Sequence, residues 1–325
     1  MRTRTTHLLA LLCAVAPAAC AAREPRSSDD RITWQPCELV GDPLLLGIAF
    51  PDDRLGFAVG GTTERGPSVV LHSEDAGASW TEVEVGTNGR LYDVDFPTLR
   101  RGYAVGVGLI LRTKDRGRSW EPVTIPADRW LSAVDFVSRE VGFAVGGDER
   151  AAVLWTTTDG GDHWTPIDER LPDAGRVALR DVRFFDEEHG VVLGEQGVLC
   201  ETRDGGATWT LVETDSDAWL RSIFVEGERT WIAASPGLLT RAAGEARWTE
   251  IGAFAEEKLC DVHFLDDRLG WVTRFAGSVH ATSDGGATWF PSLELRGTPT
   301  SLTQLGDEWL FVASDAGIWR LALPR

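Results

Sequence analysis

The sequence predicts an all-β fold, a seven-bladed β-propeller whose N-terminal strand closes the last blade. Three observations carry that prediction: a tryptophan period, a repeated turn motif, and a last repeat that stops one strand short. Tryptophans that follow a turn signature stand at Trp80, Trp120, Trp164, Trp209, Trp248 and Trp289, with gaps of 40, 44, 45, 39 and 41 residues. Such a period is one four-stranded blade per repeat. Trp34 lies 46 residues before Trp80, and the segment 31–325 holds 295 residues. Seven blades of about 42 residues fill it.

Each repeat opens on an apolar strand, read as the innermost: Leu91 to Phe96, Leu131 to Phe136, Leu179 to Phe184 and Leu259 to Phe264, and more loosely Leu45 to Phe50 and Leu220 to Val225. A short turn leads to a second strand that begins at Gly56, Gly102, Gly142, Gly190 or Gly270. A closing glycine, Gly60, Gly106, Gly146 or Gly194, reads as a tight turn into the third strand. The third strand ends in the most specific motif of the chain, Ser/Thr-x-Asp-x-Gly-x-Ser/Thr/His-Trp, carried by five blades with Asp75, Asp115, Asp159, Asp204 and Asp284. In this Asp-box the carboxylate can accept backbone N–H bonds, the glycine can take a positive φ, and the Trp anchors the outer hairpin between blades. Blade five departs, with Ala242 in place of the Asp and one extra residue before Trp248, so its hairpin should be looser. Blade seven runs from Trp309 through the turn at 315–317 to a third strand, and there the chain stops. The segment from Arg31 to Cys37, with Trp34, supplies the missing outer strand, and closure removes free sheet edges.

Ahead of the propeller, residues 1–22 carry Arg2 and Arg4 and an apolar stretch from Leu8 to Ala19, too short to span a bilayer and readable as a secretion signal. Its end, Pro17-Ala-Ala-Cys20, resembles a bacterial lipobox, with Cys20 as the lipidation site. Cleavage after Ala18 is the alternative, leaving an exported protein without an anchor. Residues 23–30 then form a tether, and the expected location is the periplasmic or cell-envelope face. Cys37, Cys200 and Cys260 fall on blades seven, four and six, and no disulfide is expected.

These repeats, with Val-x-Phe inner strands, Gly-x-Ala-Val-Gly second strands and Asp-x-Gly-x-Thr-Trp turns, resemble the photosystem II stability and assembly factor propellers of cyanobacteria and plastids. The likeness covers nearly all of residues 31–325, although the Asp-box is shared with sialidases, some endoglucanases and sorting receptors. The resemblance implies a lumenal or periplasmic, non-catalytic propeller that binds a newly made membrane-protein subunit, partly through an arginine-rich surface near the central axis.

The net charge of −18 argues against nucleic acid as partner. Basic residues nevertheless gather at the entries to inner strands: Arg90, Arg129, Arg176, Arg180, Arg221, Lys258 and Arg296. In one reading they cover apolar surface and pair with nearby Asp93, Asp181 and Asp261. In the other they ring one mouth of the channel and hold an acidic or C-terminal peptide segment, since guanidinium groups grip carboxylates bidentately. Trp130 and Trp219 fall in the loops beside Arg129 and Arg221, either as interblade packing or as the aromatic flank of that patch.

Enzyme chemistry finds less support. A sialidase needs a nucleophilic Tyr, and of Tyr92 and Tyr103 the latter matches Phe57 and Phe143 as a packing residue. Asp95 and Asp135, at equal blade positions, look like repeated scaffold rather than the unique pair, about 5 to 9.5 Å apart, that a glycosidase requires. The six His residues stand singly, so neither a metal nor another cofactor is expected. Asp159 to Asp162 lacks the ligand pattern of a calcium loop. The sequence is read as a monomeric, non-catalytic assembly platform, with an exported glycan-binding or glycan-cleaving propeller as the alternative.

Overall fold

The structure, a computed structural model, describes residues 33–39, 43–125, 129–148, 151–173, 176–245 and 247–324. The expected signal, Cys20 and the tether lie outside the described residues. Seven four-stranded antiparallel sheets stand around an axis. Their inner strands are Leu44–Ala49, Leu91–Asp95, Leu131–Phe136, Leu179–Phe184, Trp219–Glu226, Leu259–Phe264 and Pro299–Leu305, in blades one to seven. The last blade takes its outer strand from Trp34–Pro36, which pairs antiparallel with Trp319 to Leu321. Trp34 Nε1 also donates to Ser292 Oγ of blade six at 2.8 Å, so the N-terminal strand closes the ring as the repeat count requires.

Blades are joined by an aromatic lock that recurs from repeat to repeat. At five seams a second-strand ring packs on the inner-strand Phe of the following blade: Phe57 on Phe96 at 4.3 Å, Tyr103 on Phe136 at 4.5 Å, Phe143 on Phe184 at 4.1 Å, Trp231 on Phe264 at 4.5 Å and Phe311 on Phe50 at 4.6 Å. The Asp-box Trp of that following blade meets the Phe edge-on, as Trp120, Trp164, Trp209 and Trp289 do. Edge-to-face and offset geometries are the favourable ones, worth about 0.5–1.5 kcal/mol each beyond burial. The box glycine admits the ring: a Cβ on Gly161 would stand 2.4 Å from Tyr103, and one on Gly117 2.0 Å from Phe57. Both glycines also have φ of +77°.

The box aspartates hold this geometry. Asp115 accepts the Ser119 N–H at 2.9 Å and the Ser119 hydroxyl at 2.7 Å, while Thr113 Oγ1 accepts the Gly117 N–H at 2.9 Å. Asp75, Asp159, Asp204 and Asp284 repeat the arrangement. Asp284, held chiefly by the Thr288 hydroxyl and N–H, sits at about 2. Blade five has lost both halves of its lock with blade four. Ala242 replaces the aspartate, the Thr240 hydroxyl turns back to Thr230 O, and the facing residue of blade four is Val191 rather than an aromatic ring. Glu245 partly substitutes by accepting the Ala242 N–H at 3.0 Å.

Two sequence expectations change. The closing glycines do not make turns: Gly106 and Gly146 lie within their strands, paired with Leu91 and Leu131. A Cβ there would fall 2.0 Å and 1.9 Å from the carbonyl oxygens of Arg90 and Trp130, so glycine is needed to let the bulged start of the inner strand approach. Nor do Asp93, Asp181 and Asp261 pair with the entry arginines. Their carboxylates bridge blades, accepting the backbone N–H of Val134 at 2.9 Å, Ile223 at 3.1 Å and Leu302 at 2.6 Å in the next inner strand. Asp95 and Asp135 do the same for Phe136 and Phe184, consistent with a scaffold role.

Gly161→Ala is expected to cost about 2–4 kcal/mol, because it combines a strained φ with overpacking against Tyr103. Gly244→Ala, also at positive φ but with nothing within 4 Å, should cost only about 1 kcal/mol. Urea unfolding of the two variants checks this, and equal costs would contradict the lock. Burial pushes Asp93 up to about 7 despite its two N–H bonds. A carboxyl raised by folding contributes stability fully below its ordinary value near 3.8 and loses it as pH rises toward 7. Asp93→Asn should therefore gain stability relative to the parent across that window and show a constant difference above it; a difference that does not move with pH would overturn the assignment.

Candidate binding site

In a four-stranded antiparallel blade, the start of the inner strand, the turn between strands two and three, and the crossover to the next blade share one face. All seven inner strands carry their register shift at this end, between the first and third residues or immediately beside them. The shift leaves one bulged residue in each inner strand at this end, the second in most strands and the third in blades one and five. That bulged position holds Tyr92, Ser132, Arg180, Arg221 and Cys260 in blades two to six.

Arg180 and Arg221 flank Trp219, their guanidinium carbons 5.4 Å and 5.7 Å from its ring centre. Trp219 is 44% exposed, unusual for an indole this close to the axis. Arg180 is ion-paired with Glu195, whereas no carboxylate among the described residues is ion-paired with Arg221. Burial holds Arg221 below the ordinary arginine value, and the like charge of Arg180 adds to this. Cys260, beside Arg221, is pushed up to about 12 by burial, which makes it a poor nucleophile. Across the mouth, the rings of Tyr92 and Trp130 stand 5.4 Å apart with Arg90 next to Tyr92.

Buried donors without a protein partner concentrate here: Arg90 Nε, Trp130 Nε1, Arg180 Nε and Arg221 Nε, with the Ser132 hydroxyl between them. An unsatisfied buried polar group costs about 1–3 kcal/mol; others of this kind, the indole nitrogens of Trp164, Trp209, Trp248 and Trp271, lie away from this face. The seven basic residues read from the sequence separate into two shells. Arg90, Arg180 and Arg221 are half-buried at the mouth. Arg129, Lys258 and Arg296 lie exposed on the same face, and Arg176 pairs with Asp173 at 3.4 Å in its own crossover. Trp130 packs on Tyr92, while Trp219 is exposed.

Three residues at this face were not singled out in the sequence. Glu195 comes from the turn between strands two and three of blade four, and Arg274 occupies in blade six the place of a closing glycine, paired with Leu259. Arg274 bonds Glu257 at 2.5 Å and leaves its Nε unpartnered. Phe275, next to it, is 54% exposed. Aligning the closing-glycine column would have marked Arg274, the one member that carries charge. Arg183, solvent-exposed, reaches toward Asp135 at 3.9 Å, and its guanidinium is raised by the surrounding Asp135, Asp181 and Asp93 despite partial desolvation by its neighbours. His263 is held at about 4 by burial and bonds Gln304 at 2.9 Å. Tyr103 is fully buried, with its hydroxyl donating to Gly160 O, and has no access to a substrate.

The family model described as photosynthesis system II assembly factor YCF48 matches residues 72–178 and 174–252, together more than half of the chain. A photosystem II assembly lipoprotein Ycf48 of Synechococcus sp. (strain CC9902) is 37% identical over 122 residues, 35% of this chain and 36% of the relative. The chloroplastic photosystem II stability/assembly factor HCF136 of Arabidopsis thaliana is 30% identical over 137 residues, 38% of this chain and 34% of the relative. The matched stretches thus span about a third of the length of these curated relatives. A solved structure of YCF48 bound to D1 peptide superposes with a TM-score of 0.73 at 16% identity, covering 91% of this chain and 96% of that one, which shows a shared fold. These relatives are assembly factors rather than enzymes. With its seven four-stranded blades and a family match over more than half its length, the chain belongs to the photosystem II assembly factor Ycf48 family.

Proposed function

We propose that this propeller is an exported, lipid-anchored platform that holds an acidic or C-terminal segment of a membrane-protein subunit at the channel mouth and performs no catalysis. The observation that carries the reading is an exposed Trp219 flanked by the guanidinium groups of Arg180 and Arg221, the second of which has no carboxylate partner among the described residues. A carboxylate offers the acceptor lone pairs these donors lack, and its bond to guanidinium is charge-assisted and bidentate. The outer shell of Arg129, Lys258 and Arg296 would speed encounter with a negative segment, while the protein's overall negative charge disfavours nonspecific partners. A Ycf48 relative was solved with a peptide of D1, which supports a peptide as the ligand class. Anchoring through Cys20, as the lipoprotein name of the Synechococcus relative suggests, would keep the platform at the membrane where such subunits emerge. A glycan reading is less favoured because Asp95 and Asp135 are engaged in bonds between blades.

A fluorescein-labelled ten-residue peptide with two aspartates and a free C-terminal carboxylate tests the reading by anisotropy titration. Replacing Arg180 and Arg221 together by Gln is expected to weaken binding about a hundredfold, about tenfold per charged bond lost. Rising salt should weaken the parent far more than the variant. Equal binding by both proteins, or turnover on a sugar panel, would contradict the proposal.

A further inference from the structure

We propose that Glu195 is a built-in competitor for the ligand, a tethered carboxylate that occupies part of the site and must be displaced. This inference rests on the reading of the mouth as a carboxylate-binding site. Glu195 starts the turn between the second and third strands of blade four, followed by Gln196 at φ +57° and Gly197 at φ +70°. The turn is fixed on both sides. Glu195 N donates to Ala178 O at 3.0 Å, Gly197 N donates to Ala218 O at 2.7 Å, and the Thr214 hydroxyl donates to Gly197 O at 2.9 Å. The backbone therefore delivers the Glu195 carboxylate to Arg180 Nη2, where its side chain is only 14% exposed.

Charge counting shows what this does. Arg180 and Arg221 bring two positive charges to either side of Trp219, and Glu195 neutralises one of them. Without Glu195 the two guanidinium groups would repel each other across a half-buried space with no counter-charge. With it, the unliganded pair is stable, and Arg221 remains without a carboxylate partner among the described residues. A ligand carboxylate bridging both arginines would meet Glu195 as a like charge and as a rival for the same Nη2 donor. Only a ligand with further contacts, such as the Trp219 face, overcomes that rivalry. Glu195 thus raises the threshold for weak anions more than for a peptide that fills the whole mouth.

The test uses the same labelled acidic peptide and acetate as a competitor, with Glu195→Gln, Glu195→Ala, Arg221→Gln and the double variant of Glu195→Gln with Arg221→Gln. Glu195→Gln preserves shape and an acceptor oxygen for Arg180, and urea unfolding of each variant verifies that the fold is intact. Glu195→Gln is expected to bind the peptide about tenfold tighter than the parent, the size of one charge-assisted bond. Acetate should compete at lower concentration in that variant, and the added Arg221→Gln should remove the gain. If the parent binds and Arg221→Gln weakens it, but neither Glu195 variant binds tighter, the competitor role is wrong and the mouth reading stands. If neither the parent nor Glu195→Gln binds the peptide, both fall together.

Discussion

A ring of seven separate sheets has no strand ladder running from one blade to the next, so its shape depends on what one blade presents to its neighbour. Here that is an aromatic ring from one second strand, received by a glycine, a phenylalanine and a tryptophan of the following blade. The Asp-box is best understood as the means of holding that glycine and tryptophan in place. Its carboxylate orders the hairpin, and the hairpin makes the socket. The inner ends of the same seams are joined by a second device, the aspartates that accept backbone N–H groups from the neighbouring inner strand. Together they fix the radius of the channel, and the mouth inherits its spacing from them.

Two seams do without the lock: between blades six and seven Trp271 packs on Leu302, Leu310 and Val312, and between blades four and five Val191 and Ala242 stand where the ring and the aspartate belong. Both halves are missing at the same seam, which makes sense if each is useful only with its partner. Aliphatic packing by Val191, Ile232, Leu239 and Trp248 takes over there. The same two blades carry Arg180, Glu195, Trp219 and Arg221, which therefore sit on a seam whose outer parts are held without the aromatic lock.

Much of this was legible in the sequence because repetition makes structure visible: five Asp-boxes in register identify the blades, and a last repeat without its fourth strand identifies the closure by Trp34. Tyr103 could be read as a packing residue from its column alone. What stayed hidden depends on contacts between repeats. Nothing near Asp93 in the chain announces Val134, which lies 41 residues away and meets it only when the ring forms. The closing glycines were read as turn residues because a carbonyl approach from the preceding strand leaves no local signature. Glu195 and Arg274 went unnoticed because attention followed the inner-strand entries, whereas Glu195 lies in the turn after Gly194 and Arg274 ends a second strand, opposite Leu259. The basic residues were visible as a set, but burial divides them, and only Arg90, Arg180 and Arg221 stand where a ligand would be desolvated.

The central claim is that the client is held at this mouth and not along the outer rim. Site-specific photo-cross-linking in the native envelope tests it directly, with a photoreactive phenylalanine analogue placed at Trp219 in one protein and at Leu211, exposed on an outer strand, in another. The account predicts an adduct from position 219 that maps to an acidic or C-terminal segment of a membrane protein, and none from position 211. Adducts from 211 alone, or equal adducts from both positions, would contradict it.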